Sequence, residues 1–272
     1  MKALKFSRKH LGIPYALFLL VFVILPLVLI AFYAFTDANG KFTLSNFIQF
    51  FKSPTNVTIL LRSFGIAFLS TVLCLVIGYP VAYILARSNM KKSSVLLLLF
   101  ILPMWINFVL RTAAMKELLF LLGMYESGKL HYLNTVIGMV YDYLPVTILP
   151  LYTVISKLDK NLLEASADLG AKPLHTFINT TLPLSTPGIA SAITMVFLPT
   201  TTSYVISDTL GNSKVTIIGK FIENKFNSGT ADGWNAGSAI ALILLLFIFA
   251  TMFISGKFEG SDDKNARGSG LW

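Results

Sequence analysis

Two carboxylates sit where a carboxylate is expensive. Asp142 lies inside the apolar run 133–155, between Tyr141 and Tyr143, and Asp208 closes the run 186–207 just after Tyr204. An ionisable group in such a setting faces protein or water, because leaving a lone charge in hydrocarbon is costly. Trp105 and Asn107 follow Pro103 in another apolar run that Arg111 closes, and Pro199 is followed by Thr200, Thr201, Thr202 and Ser203. Proline removes an amide donor from a helix, so these hydroxyls can satisfy freed carbonyls or line a wet cavity. Carboxylates and aromatic rings facing one cavity suit an organic cation, through Coulomb attraction and ring-face attraction to ammonium groups. The candidate substrate path is therefore Trp105, Asn107, Asp142, Thr202, Tyr204 and Asp208. Each has a plainer reading: Asp142 pairs with Arg111 or with a base from a partner subunit, Asp208 is a solvated helix end, and the rings form an interfacial belt. Enzyme signals are missing. His10, His131 and His175 are scattered, there is no His-Glu-x-x-His or serine elbow, and the single Cys74 excludes an intrachain disulfide and a cysteine-based metal cluster. The chain is expected not to be an enzyme and to hold no cofactor or metal of its own.

The elements that must hold these groups are membrane helices. Of 272 residues, 55% are hydrophobic and 13% charged, and the mean hydropathy is +0.72; a soluble domain of this size has no use for so much apolar surface. Six runs can cross a bilayer: 13–35, 64–86, 95–110, 133–155, 186–207 and 236–255. The first is too long for a signal peptide and has no small-residue cleavage site, so it reads as a retained anchor. The fold class is all-α, a polytopic membrane protein with six transmembrane helices. Residues 1–12 form an N-terminus, 13–256 the six-helix domain, and 257–272 a polar, glycine-rich tail expected to be disordered. Lys2, Lys5, Arg8 and Lys9 before the first run, and Arg87, Lys91 and Lys92 after the second, place both termini in the cytoplasm by the positive-inside preference. The net charge of +9 comes from bases dispersed between apolar runs, which fits a membrane protein and not a nucleic-acid binder. Phe47, Phe50 and Phe51 predict an interfacial helix between the first two crossings, and Gly78, Ala82 and Ala86 a helix-packing seam.

The loop 157–187 between the fourth and fifth runs has its own logic. Asp159 can cap a helix that starts at Asn161, Leu162 and Leu163, Gly170 can end it in the left-handed conformation, and Pro173 is expected to stop it from resuming. Leu162, Ala165, Ser166 and Leu169 fall on one narrow face of small and apolar residues. So short a helix is marginal in water alone. Packing against a partner would supply what it lacks.

The stretch Glu164-Ala165-Ser166-Ala167-Asp168-Leu169-Gly170 with the later Leu182-Pro183 resembles the EAA loop of ABC-transporter permeases. Ser166 stands for the second Ala of that pattern and Thr180 for its Ile. Three further segments, Gly78-Tyr79-Pro80-Val81-Ala82-Tyr83, Leu102-Pro103-Met104-Trp105-Ile106-Asn107 and Tyr204-Val205-Ile206-Ser207-Asp208, look like permeases of spermidine/putrescine import systems. The resemblance implies the type I ABC importer permease fold in a bacterial inner membrane, with a second homologous permease, two ATPase subunits that use ATP and Mg, and an extracytoplasmic polyamine-binding protein. It implies that Glu164, Ala165, Ser166, Asp168, Gly170, Leu182 and Pro183 couple to the ATPase, and that the cargo is a small cation. Similar permeases carry phosphonate, iron or sulfate, and a passive channel or scaffold subunit is the alternative of a different class. Asp142 has no counterpart in the family pattern.

Overall fold

The computed structural model describes residues 12–87, 93–126 and 130–268. Lys2, Lys5, Arg8, Lys9, Lys91 and Lys92, on which the expected orientation leans, lie outside the described residues, as do residues 269–272 of the expected tail. Among the described residues, apart from turns, the chain is helical with one isolated antiparallel bridge, Thr36 to Phe42. Helix α1 joins Gly12–Leu19, a π turn Leu20–Ile24 and Leu25–Ala34; α2 is Ser45–Lys52 and α3 is Pro54–Arg87. Helix α4 (Ser93–Ile101) passes through a 3-10 turn (Leu102–Trp105) into α5 (Phe108–Leu121), and α6 is His131–Lys157. Then come α7 (Lys160–Asp168) and α8, built from Pro173–Thr176, a π turn Phe177–Thr181 and Leu182–Leu184. The last four are α9 (Thr186–Thr202), α10 (Tyr204–Leu210), α11 (Ile218–Phe226) and α12 (Ala231–Gly268).

Four stretches are long and apolar enough to cross a bilayer unbroken: Pro14–Ala34, Pro54–Arg87, His131–Lys157 and Ala231–Ile254. Two bent pairs, Ser93–Trp105 with Phe108–Leu121 (94°) and Pro173–Leu184 with Thr186–Thr202 (65°), bring the number to six if each counts as one crossing. Within the run 95–110 the backbone breaks. Pro103 starts the 3-10 turn, and Asn107 caps a new helix, its Oδ1 accepting from the Val109 amide at 2.9 Å. The run 186–207 is likewise interrupted at Ser203 (φ −73°, ψ 67°). Both π turns stand directly before a turn containing proline, Pro26 or Pro183. Neither proline can return an amide to the carbonyl four residues back, and the ring crowds that carbonyl, so the turn widens. Helix α12 continues to Gly268. No proline interrupts it, and extending an existing helix needs no new nucleus.

The chain divides into two compact units, one from the residues up to Val57 with Phe221–Phe247, the other from Thr58–Lys220 with the residues from Ile248 on. In the first, Asn46 donates its side-chain amide to the carbonyls of Ala34 (3.0 Å) and Thr36 (2.9 Å) and fixes α2 beneath the end of α1. Phe50 is buried and Phe51 exposed, so the aromatic residues of α2 are split between core and surroundings.

The second unit holds every candidate functional residue. Its centre is the packing of α6 against α9 and α3. Gly188 lets α9 approach α6 so closely that a Cβ there would lie 3.3 Å from the Pro150 carbonyl oxygen and 3.0 Å from Val154 Cβ. The expected seam is present: a Cβ on Gly78 would sit 3.1 Å from Thr147 Cγ2, and Ala82 is buried with Ile148, Leu151 and Ile155. Gly138 of α6 faces Leu210 and Ile206 of α10, and a Cβ there would collide with Leu210 Cδ1 and reach Ile206 Cγ2 at 3.2 Å. Both neighbours are fully buried and have no room to yield. Gly138→Val is therefore expected to cost about 1–3 kcal/mol, read as a lower melting temperature in detergent. Gly65→Val, with nothing within 4 Å, should leave it unchanged.

Candidate functional site

The loop after α6 is built as its residue types predict. Asp159 caps α7, its carboxylate accepting from the Asn161 amide at 3.0 Å. Gly170 has φ +82° and closes the helix: its amide donates to the Ala167 carbonyl (2.8 Å) and the Ala171 amide to the Ser166 carbonyl (3.2 Å). That pair of bonds is the Schellman arrangement, which requires a left-handed residue and so favours glycine. The helix does not resume, and Pro173 opens the separate helix α8, where a missing amide does no harm. Glu164, Ala165 and Asp168 are exposed on α7, and Leu169 beside them is 89% exposed. Ser166, Leu169, Gly170, Lys172, His175 and Asn179 border a shallow hollow of about 460 Å³. A capped, self-contained helix thus presents small residues and a bare leucine next to a concavity.

Behind that surface the loop is tied to the helices. Ser166 and Thr176 share a hydroxyl hydrogen bond of 3.1 Å, joining α7 to α8. Leu182 and Pro183 lie in the last turn of α8, which ends at Leu184, and Ser185 after it shares a 2.7 Å hydroxyl hydrogen bond with Tyr79 of α3. The rings of Tyr79 and Tyr83 both stand edge-on to Phe177, each 5.5 Å between centroids. Static contacts thus run from α7 through α8 to α3. Sequence reasoning gave no role to Ser185 and quoted Tyr79 only within the segment 78–83; the two lie far apart in the chain.

The six residues named as a substrate path fall into four separate settings. Trp105 projects from the 3-10 turn with 89% of its surface exposed, and Asn107 is committed to its helix cap. Asp142 is paired with Arg111 at 3.0 Å, with side-chain exposures of 4% and 8%, and accepts a 3.1 Å hydrogen bond from Thr112. Through these contacts Asp142 ties α6 to α5. Thr202 bonds back to the Pro199 carbonyl at 3.3 Å, and Thr200 and Thr201 do the same to Val196 and Phe197, both at 2.7 Å. The hydroxyls after Pro199 thus serve the backbone. Tyr204 and Asp208 alone come together, four residues apart on α10, and share one neighbour. Lys220 Nζ is 3.7 Å from Asp208 Oδ2 and 5.4 Å from the centre of the Tyr204 ring. Nothing local in the sequence joins Lys220 to Asp208, since α10, a turn and part of α11 intervene.

Residues 76–260 match the family described as the binding-protein-dependent transport system inner membrane component, and the chain belongs to that family. It is a multi-pass component of a transport system and not an enzyme; its homologues work with a binding protein and with separate ATPase subunits. The spermidine/putrescine transport system permease protein of Haemophilus influenzae is 32% identical over 92% of this chain and 93% of its own length. The protein of that description from Escherichia coli is 35% identical over 89% of this chain and 96% of its own. Among solved structures, a bacterial alginate ABC transporter in complex with an alginate pentasaccharide-bound periplasmic protein has a chain superposing with a TM-score of 0.73 at 13% identity, over 93% of each chain. A chain of the inward-facing MetNI methionine ABC transporter gives 0.56 at 17% identity, over 75% of this chain and 94% of that one. These likenesses establish the permease fold of type I ABC importers.

Proposed function

We propose that this chain is one permease subunit of an ATP-driven polyamine importer, with both termini in the cytoplasm. It pairs with a second homologous permease, two ATPase subunits that bind ATP and Mg sit beneath, and an extracytoplasmic polyamine-binding protein delivers the cargo. The observation that carries the cargo class is the identity of 32% and 35%, over nearly whole chains, to permeases described as spermidine/putrescine components. The carboxylate and ring of Asp208 and Tyr204 on one face of α10 support it, because that pairing suits an ammonium group.

In this reading α7 is the part gripped by the ATPase. Glu164 and Asp168 offer carboxylates, Ala165 and Ser166 permit close approach, and the Gly170 closure keeps the helix rigid under load. Leu182 and Pro183 pass the movement into α9, whose far end is the break at Ser203 and the start of α10. Trp105, exposed at a sharp turn, is placed to meet the second permease or the cargo. Asp208→Asn tests the path: uptake of labelled putrescine and spermidine at low concentration should fall about tenfold or more, as expected when a charge-assisted contact is lost. ATPase co-purification should stay unchanged. Uptake equal to that of the unaltered transporter would remove α10 from the path.

A further inference from the structure

We infer that Lys220 is a tethered mimic of the cargo: without cargo its ammonium fills the carboxylate-and-ring position on α10 that an ammonium of the incoming polyamine takes over. The inference rests on the polyamine reading above and adds to it a device for selectivity.

Three observations carry it. The first is chemical identity. A lysine ammonium and a terminal polyamine ammonium are the same group, and Lys220 contacts both features that would recognise one, Asp208 Oδ2 at 3.7 Å and the Tyr204 ring at 5.4 Å. Residues four apart on a helix share a face, so one ammonium meets both at once.

The second is that Lys220 is delivered by a rigid mount. The Ile218 amide donates to Ser63 Oγ at 2.7 Å, and Ile217 and Ile218 are fully buried. Gly219 packs on the backbone of Thr202 so tightly that a Cβ would lie 3.0 Å from its carbonyl carbon and 3.1 Å from its Cα, and would collide with its carbonyl oxygen. A segment seated this closely aims its next side chain reproducibly.

The third is the contrast with the other ion pair. Arg111 and Asp142 are buried and braced by Thr112, which locks them together. Lys220 and Asp208 keep 27% and 38% of their side-chain surfaces exposed. A pair this wet is worth at most about fivefold in an equilibrium. It holds the carboxylate occupied between cycles and yields to a competitor that arrives from solution.

Selectivity follows from the exchange. A monoamine that replaces Lys220 swaps one ammonium for another and gains nothing. A polyamine makes the same swap and still has charge left to place elsewhere along the path. Lys220 thus sets a threshold that favours multivalent cargo.

The test is uptake of labelled putrescine by cells carrying the assembled transporter, with butylamine as competitor. Lys220→Gln should lower the half-saturating putrescine concentration and the half-inhibiting butylamine concentration alike, each about two- to fivefold; Lys220→Met should do the same. Lys220→Arg, which keeps the charge, should keep the resistance to butylamine. In an Asp208→Asn background the gain from Lys220→Gln should vanish, because the two residues act as one unit. Unchanged or weakened putrescine affinity in both neutral variants at normal membrane abundance would overturn the inference while leaving the polyamine reading intact. A parent transporter that takes up neither putrescine nor spermidine would overturn the polyamine reading itself.

Discussion

Asp142→Leu will remove most of the chain from the membrane fraction, and adding Arg111→Met to it will bring the chain back. Both side chains are almost fully buried and 3.0 Å apart, so the single change strands a guanidinium without its carboxylate. Two of its nitrogens, Nε and Nη1, already have no hydrogen-bond partner. Stranding one member of a buried pair costs about 3–5 kcal/mol, whereas replacing both by apolar groups of similar size is close to neutral. Against a total stability of roughly 5–15 kcal/mol the single change is severe and the double change mild. Immunoblots of membranes and a thermal melt of the solubilised complex both read it. The same experiment separates two roles for Asp142. A cargo ligand would lose transport at normal abundance; a structural tie loses abundance first, and the geometry assigns the tie.

The second large effect is at α7. Ala165→Trp should abolish uptake and strip the ATPase subunits from the purified complex while membrane abundance stays normal. Ala165 is exposed, so the indole has room in the isolated chain and harms only what must sit against it. A clash at the centre of a docking surface is expected to weaken association by about 2–4 kcal/mol, as hot-spot losses do, which is ~30-fold or more. Glu164→Lys should act in the same direction through charge reversal. Intact complexes purified with the Ala165→Trp chain would contradict the packing argument.

How much of this was legible beforehand depends on distance along the chain. The cap at Asp159 and the left-handed closure at Gly170 are local, set by a residue type and its neighbours, and both were readable. The membrane class was readable for a similar reason, since hydropathy sums over a window. That window is blind to direction, however, and missed the 94° turn at 102–107, where Pro103 and Asn107 outweigh the apolar residues around them. Asn107 looked like a path residue because a capping amide and a cargo-binding amide are the same group in sequence. Asp142 and Arg111 were named as possible partners, yet only the packing of α5 on α6 decides that they meet. The Lys220 contact was not readable at all, because it depends on a glycine pressed to the Thr202 backbone. At 257–268 composition argues for disorder, while continuity with α12 argues for a helix.

Cross-linking from position 165 tests the central claim most directly. In a chain carrying Ala165→Cys and Cys74→Ser, a short thiol-reactive cross-linker is applied to inverted membrane vesicles of the assembled transporter, with and without ATP. The account predicts an adduct with the ATPase subunit whose yield changes when ATP is added. Absence of that adduct, together with labelling of the same thiol by an impermeant reagent added outside intact cells, would contradict it.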